Sequence, residues 1–188
     1  MSESTIETIR WRRLDAPGHE TARLGARDGG DGWELAGLVE LEHEGRACRL
    51  EYAIEAEPTW RTRSARVIGS IGEREVDLTV AVDRPGRWRL NGAACASVDG
   101  CVDIDLGFSP STNVLPIRRL ELGIGEQADV TAAWLPFPAL AFEPLAQTYC
   151  REAERTYVYS SRGGRFVRTL EVSEHGLVTH YPGLWRAE

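Results

Sequence analysis

Asp103 and Asp105 stand one residue apart, followed by the loop Gly107-Phe108-Ser109-Pro110-Ser111-Thr112-Asn113 and then by Arg118-Arg119. These residue types could serve three chemistries. Carboxylates one residue apart before a glycine resemble the start of a calcium loop. Such a loop beginning at Asp103 needs a ligand at its fifth position, glycine at its sixth and glutamate at its twelfth. Gly107, Phe108 and Val114 stand there instead, so the template fails. Gly107-Phe108-Ser109-Pro110-Ser111 superficially matches a nucleophile elbow. The elbow uses the backbone N–H of the residue after the nucleophile, and Pro110 has none, which makes Ser109 a poor nucleophile. Its better use, with Ser111, Thr112 and Asn113, is to hydrogen-bond the loop's own backbone. The third chemistry is acid–base work. Carboxylates flanking a glycosidic bond lie about 5–9.5 Å apart, and residues i and i+2 on a strand lie about 7 Å apart, so the spacing permits it. Against it, Arg118 or Arg119 can hold an aspartate bidentately. Only one of the two can share the aspartates' face if the following segment is a regular strand.

Polar recognition has a second centre in Trp60-Arg61-Thr62-Arg63. An indole stacks on the apolar face of a sugar ring, and Arg61 and Arg63 can fork onto phosphate, carboxylate or hydroxyl groups. The competing reading is a core tryptophan flanked by solvated arginines. The histidines offer less: His19 and His43 lack the second histidine of H-E-x-x-H, and His175 and His180 have opposite strand parity. Cys48, Cys95, Cys101 and Cys150 form no C-x-x-C pair, which argues against zinc. All 22 basic residues are arginine, and without lysine there is no Schiff-base nucleophile, no pyridoxal-phosphate anchor and no P-loop lysine. No metal or cofactor is expected.

The elements that must position these groups alternate with a period of two. Val76, Leu78, Val80 and Val82 share one strand face; Trp33, Leu35, Val39 and Leu41 share another; Leu50, Tyr52 and Ile54, and then Phe166, Leu170 and Val172, repeat the pattern. Between them stand turn signals such as Glu44-Gly45, Asn91-Gly92 and Arg162-Gly163-Gly164. The expected fold is all-β: a single large, strongly curved antiparallel sheet, half-barrel-like, with few or no long helices. Glu143 to Glu154 reads as either helix or strand. Cys101 to Leu120 reads as two strands joined by a self-bonded loop, with Asp103 and Asp105 opposite Val102, Ile104 and Leu106. Val130 to Phe142 carries no charge and is broken by Pro136 and Pro138, so it either plugs one end of the core or lines a greasy ligand's berth.

A chain of 188 residues fits one domain, taken as 1–188. Its net charge of −7 argues against a general nucleic-acid role. With no apolar stretch of the length that spans a bilayer and no secretory h-region, the chain is expected to be cytoplasmic, without integral membrane association.

The blocks "WRRLDAPGHE", "WRTR", "GCVDIDLGFSPSTNVLPIRRL", "AAWLPFPAL", "PLAQTY" and "YPGLW" span almost the whole chain. On these the chain resembles the bacterial family named "putative glycolipid-binding", whose members form a spiral β-roll. The resemblance implies that architecture and a non-catalytic role, holding a glycolipid-like amphiphile in the concavity of the sheet. Tails would rest near Trp134, Leu135, Phe137, Leu140 and Phe142. The head group would meet some of Trp60, Arg61, Arg63, Asp103, Asp105, Asn113, Arg118 and Arg119. The alternatives are a protein–protein interaction module and a carboxylate-dependent sugar or lipid hydrolase.

Overall fold

Short turns between alternating runs yield hairpins. The computed structural model, which describes residues 4–188, has eight strands in its first part: β1 (Ser4–Arg13), β2 (Gly18–Ala26), β3 (Trp33–His43), β4 (Arg46–Ala56), β5 (Thr62–Ile71), β6 (Arg74–Val82), β7 (Trp88–Leu90) and β8 (Ala93–Ala94). Seven follow: β9 (Ile104–Leu106), β10 (Gln127–Leu135), β11 (Glu143–Ala153), β12 (Thr156–Ser161), β13 (Phe166–Val172), β14 (Val178–Tyr181) and β15 (Trp185–Ala187). Glu44-Gly45 joins β3 to β4 with φ of 51° and 74°, and Asn91-Gly92 joins β7 to β8 with φ of 49° and 80°. Both central residues lie in the left-handed region, as the tightest hairpin turns require.

All fifteen strands make one open sheet in the order β8-β7-β6-β5-β4-β3-β2-β1-β15-β14-β13-β12-β11-β10-β9. Its middle is the antiparallel pair β1–β15, with Trp11 opposite Ala187. The sheet curls strongly enough to bring distant strands together: the Thr62 N–H of β5 donates to Val102 O, and Ile104 N–H of the edge strand β9 donates to Thr62 Oγ1 at 3.0 Å. These contacts do not extend into a ladder, so the roll stays unclosed. Its interior is lined by the inward set of each strand, including the fully buried Trp11, Trp88, Tyr149, Leu50, Ile54 and Leu170.

Three features depart from expectation. The segment after the loop is a helix, α1 (Val114–Leu120), not a second strand. Ser111–Asn113 winds one 3₁₀ turn into it, and Pro116 falls in its first turn, where an N–H is not needed. Val114, Leu115 and Ile117 are buried. β9 and β10 run parallel, with Ile104, Asp105 and Leu106 opposite Ala133, Trp134 and Leu135. Asp103 precedes β9 and is 1% exposed, so it does not sit on a wet face, while Asp105 is half-buried. Glu143–Ala153 resolves as strand.

The Pro-broken loop after β10 plugs the core. Leu135 and Leu140 are buried. Phe137 meets His43 edge-on at 5.0 Å between ring centroids, and Phe142 meets Trp88 at 5.5 Å. Arg74 donates to Pro138 O from the opposite half of the sheet. These side chains fill the roll, Phe137 and Phe142 packing partly buried against its core.

Candidate functional site

Parallel pairing puts Asp105 beside Trp134 on one face, while Ile104, Leu106, Ala133 and Leu135 are buried on the other. Gln147 and Leu145 of β11 face the same way as Trp134, because they pair with Val130 and Ala132. Ser161 lies opposite Gln147, and Tyr159 opposite Tyr149. This patch forms the wall of a cavity of about 200 Å³, completed by Gly107, Ser109, Asn113, Phe166, Tyr181, Leu184 and Trp185, with Arg162 at its rim. Gly107 has to be glycine here: a Cβ would sit 2.9 Å from the indole nitrogen of Trp134.

The polar groups of the cavity are placed by hydrogen bonds behind them. Gln147 Nε2 donates to Asp105 Oδ2 at 2.6 Å and to the Tyr159 hydroxyl at 3.0 Å. Tyr149 OH donates to Asn113 Oδ1 at 2.9 Å, while Asn113 Nδ2 donates to Pro110 O. Burial pushes the Asp105 carboxyl up to about 6, against the Gln147 bond, and the nearby charge of Asp103 adds to the rise. Burial also raises the Tyr159 and Tyr181 hydroxyls, and the charge of Asp105 raises both further. Tyr159, Phe166 and Tyr181 form a triad with centroids 6.1–6.3 Å apart.

Of the residues expected to bind, Asp105, Asn113 and Trp134 converge on this cavity; the others do not. Asp103 is held by Arg119, whose Nε donates to Oδ1 at 3.0 Å. Even so, burial leaves its carboxyl above the ordinary value, with Arg119 and then Arg61 pulling it back. Arg118 and Arg119 diverge because successive helical residues point about 100° apart, and Arg118 instead lies 5.2 Å over Trp60. Trp60 also stacks on Trp33, 4.3 Å between centroids and 12° from parallel, so its ring is sandwiched and offers no open face to a sugar. Arg63 pairs with Asp31 at 2.9 Å. Arg61 lines a separate pocket of about 220 Å³ at the start of β5, together with Arg63. Phe137 belongs to the plug.

A second buried polar group went unread in the sequence. Glu20 of β2 is fully buried; its Oε1 accepts from Tyr52 OH and from Ser109 Oγ, each at 2.6 Å. Tyr52 OH lies 2.7 Å from Ser111 Oγ, and Ser109 and Ser111 bond each other at 2.7 Å. Among the described residues Glu20 Oε2 has no partner. Burial pushes Glu20 up to about 8, with the Ser109 and Tyr52 bonds working against the rise. Ser109 is therefore fully engaged as acceptor and donor, which ties the loop to β2 and β4. The missed signal was parity. Glu20 shares the inward face with Ala22 and Leu24, as Gln147 does with Leu145 and Tyr149, and a polar residue on an apolar face marks a buried bond.

A model of the family described as "Putative glycolipid-binding" matches residues 8–187. Among solved structures, the chain is similar to a DUF1089 family protein from Pseudomonas aeruginosa, with 34% identity over 89% of this chain and 90% of that one and a TM-score of 0.77. It also resembles a β-barrel-like protein of the domain of unknown function DUF1849 from Brucella abortus, at 9% identity over 96% and 93% of the two chains and a TM-score of 0.51, a likeness of fold alone. No curated protein matches.

Proposed function

Since the chain belongs to the family described as "Putative glycolipid-binding", we propose that it is a non-catalytic binder of an amphiphile whose head group enters the cavity beside Asp105. The observation that carries this reading is the convergence of Asp105, Asn113, Ser161 and Trp134 with Tyr159, Phe166 and Tyr181 around one opening. Aromatic faces suit the apolar side of a ring or an alkyl group, and a few fixed polar atoms set orientation. A volume of about 200 Å³ is below the roughly 300–1,000 Å³ of sites for drug-sized ligands, so it takes a head group and leaves the tail outside. Half-buried Leu145, Phe166 and Leu184 at the wall give the first methylenes a surface worth about 0.8 kcal/mol per buried CH₂.

Native mass spectrometry of gently purified protein, before and after addition of short alkyl glycosides and phospholipid-like detergents, tests this. Retained or acquired one-to-one adducts that vanish in Trp134→Ala support it. A protein that carries nothing and ignores every amphiphile overturns it.

A carboxylate-dependent hydrolase is the second reading, favoured by one observation: Asp105 carries a raised pKa with no arginine partner among the described residues. Its neighbour Asp103 is enclosed with Arg119 and faces no opening, so the second carboxylate such chemistry needs is missing from the cavity. Release of chromophore from aryl glycosides or esters, abolished in Asp105→Asn, would establish this reading in place of the first.

A further inference from the structure

Resting on the reading of the cavity as a head-group site, the charges around it narrow the head group's chemistry. Among the described residues Asp105 accepts one hydrogen bond, that of Gln147. It is in ion-pair reach of no arginine among the described residues, whereas Asp103, two residues earlier, has Arg119. A half-buried carboxylate left in this state is a site for a positive group, and the arginines at the cavity's edge lie over its rings and not against this acid.

The walls point the same way. Aromatic faces attract cations through their quadrupole, the principle by which cages of rings hold quaternary ammonium groups. Three rings of this cavity already carry an arginine of the chain: Arg162 lies 5.4 Å over Trp134, Arg168 4.5 Å over Phe166 and Arg13 5.7 Å over Trp185. No arginine lies over Tyr159 or Tyr181 among the described residues, although Arg162 and Arg168 act on their hydroxyls from nearby. Gln147 Nε2 donates both to Asp105 and to the Tyr159 hydroxyl, and Tyr181 packs on Tyr159 at 6.2 Å between centroids, so the acid and these two rings are neighbours. At the rim the sign reverses. Arg162, exposed on the turn after β12 with φ of 54°, has no carboxylate partner among the described residues and stands over the indole beside Asp105.

We infer that the cavity selects a head group bearing a protonated or quaternary amine, seated against Asp105, Tyr159 and Tyr181, together with an anionic group met by Arg162 at the rim. An alkylphosphocholine or phosphoethanolamine and a phosphorylated amino sugar share this chemistry. The net charge of −7 favours the approach of the cationic end.

Calorimetric titration below the micelle concentration compares dodecylphosphocholine with dodecyl maltoside, equal in tail and different in charge. The wild type binds dodecylphosphocholine at least 10-fold more tightly. Asp105→Asn, checked for folding by circular dichroism, erases that preference. Arg162→Gln, on an exposed turn, weakens dodecylphosphocholine several-fold and leaves dodecyltrimethylammonium unchanged. Glucosamine 1-phosphate and phosphocholine, both without tails, then separate the amino-sugar source from the alkylammonium source by which one competes. Equal or tighter binding of dodecyl maltoside, or a preference unchanged in Asp105→Asn, overturns the inference while leaving the amphiphile reading intact. Failure of every probe to bind defeats that underlying reading instead.

Discussion

Arg119 grips Asp103 from the last turn of α1, its Nε 3.0 Å from Oδ1 and its Nη2 on the other carboxylate oxygen. The acid is 1% exposed and the arginine side chain 19%. Cutting one partner of such a pair leaves a buried charge without compensation, at about 3–5 kcal/mol. Arg119→Met is expected to lower unfolding free energy by that order in urea, and adding Asp103→Asn to it should restore most of the loss. An equal loss in single and double variants would mean that the cost is that of losing the pair itself and not that of a stranded charge.

Tyr52 lies across Gly37, the residue opposite it on β3, and a Cβ at position 37 would stand 2.4 Å from the phenolic oxygen. Gly37→Ala must therefore push the ring off Glu20 and Ser111. It is expected to cost about 1–3 kcal/mol by crowding the interior, against about 1 kcal/mol for Tyr52→Phe, which removes the hydroxyl and keeps the packing. Thermal unfolding of the two variants side by side measures the order.

Glu20 tests the same network through pH. Burial raises its carboxyl from 4.5 to about 8, so the fold holds the proton more tightly than the unfolded chain does. The stability this contributes is fully present below about pH 4.5 and is lost as pH rises to about 8. Glu20→Gln, which preserves an acceptor for Tyr52 and Ser109 and has no charge to bury, should match the wild type at pH 4. At pH 9 it should exceed it by a few kcal/mol, because each tenfold difference in proton affinity between folded and unfolded chain is worth about 1.4 kcal/mol. Chemical denaturation at the two pH values reads the difference directly.

Asp105 follows the same sign over a lower window. Its carboxyl is raised from 3.8 to about 6, so stability falls between about pH 4 and pH 6 and stays lower above it. Asp105→Asn is expected to melt with the wild type at pH 4. At pH 8 it should melt about 2–4 °C higher, for a gain of about 1 kcal/mol once solvent at the cavity mouth is allowed for. A variant no more stable than wild type at pH 8 would show the carboxylate to be better solvated than its setting implies.

The hairpins were legible because two local signals agree: period-two alternation and turn residues able to take positive φ, such as Asn91-Gly92. Partner identity is not local, so nothing in the alternation of Ile104 to Leu106 told that β9 lies parallel to β10. Seven residues are too few for a helical period to declare itself, and Leu115 and Ile117 read equally well as one face of a strand. That ambiguity misdirected the arginines: on a strand they would alternate faces, and on α1 they fan out to Trp60 and to Asp103. Of the candidate binding residues, Asp105, Asn113 and Trp134 lie together because the loop and β10 meet there. Glu20 and Gln147 do not stand out in an alternation defined by apolar members, yet the polar exception on an inward face is the informative residue.

The pairing of Trp11 with Ala187 at the middle of the sheet sets an order of events during synthesis. β1 to β8 can zip sequentially as they leave the ribosome, each strand finding its neighbour through a short turn. β1 then keeps one unpaired edge until the final strand emerges. That edge is a template for other chains throughout the wait, and its closure demands a contact between strands far apart in sequence, Trp11 with Ala187, a slow step by topology. Arg10, Arg12 and Arg13 stand on that edge strand, a run of like charge that discourages two nascent copies from pairing before each finds its own last strand.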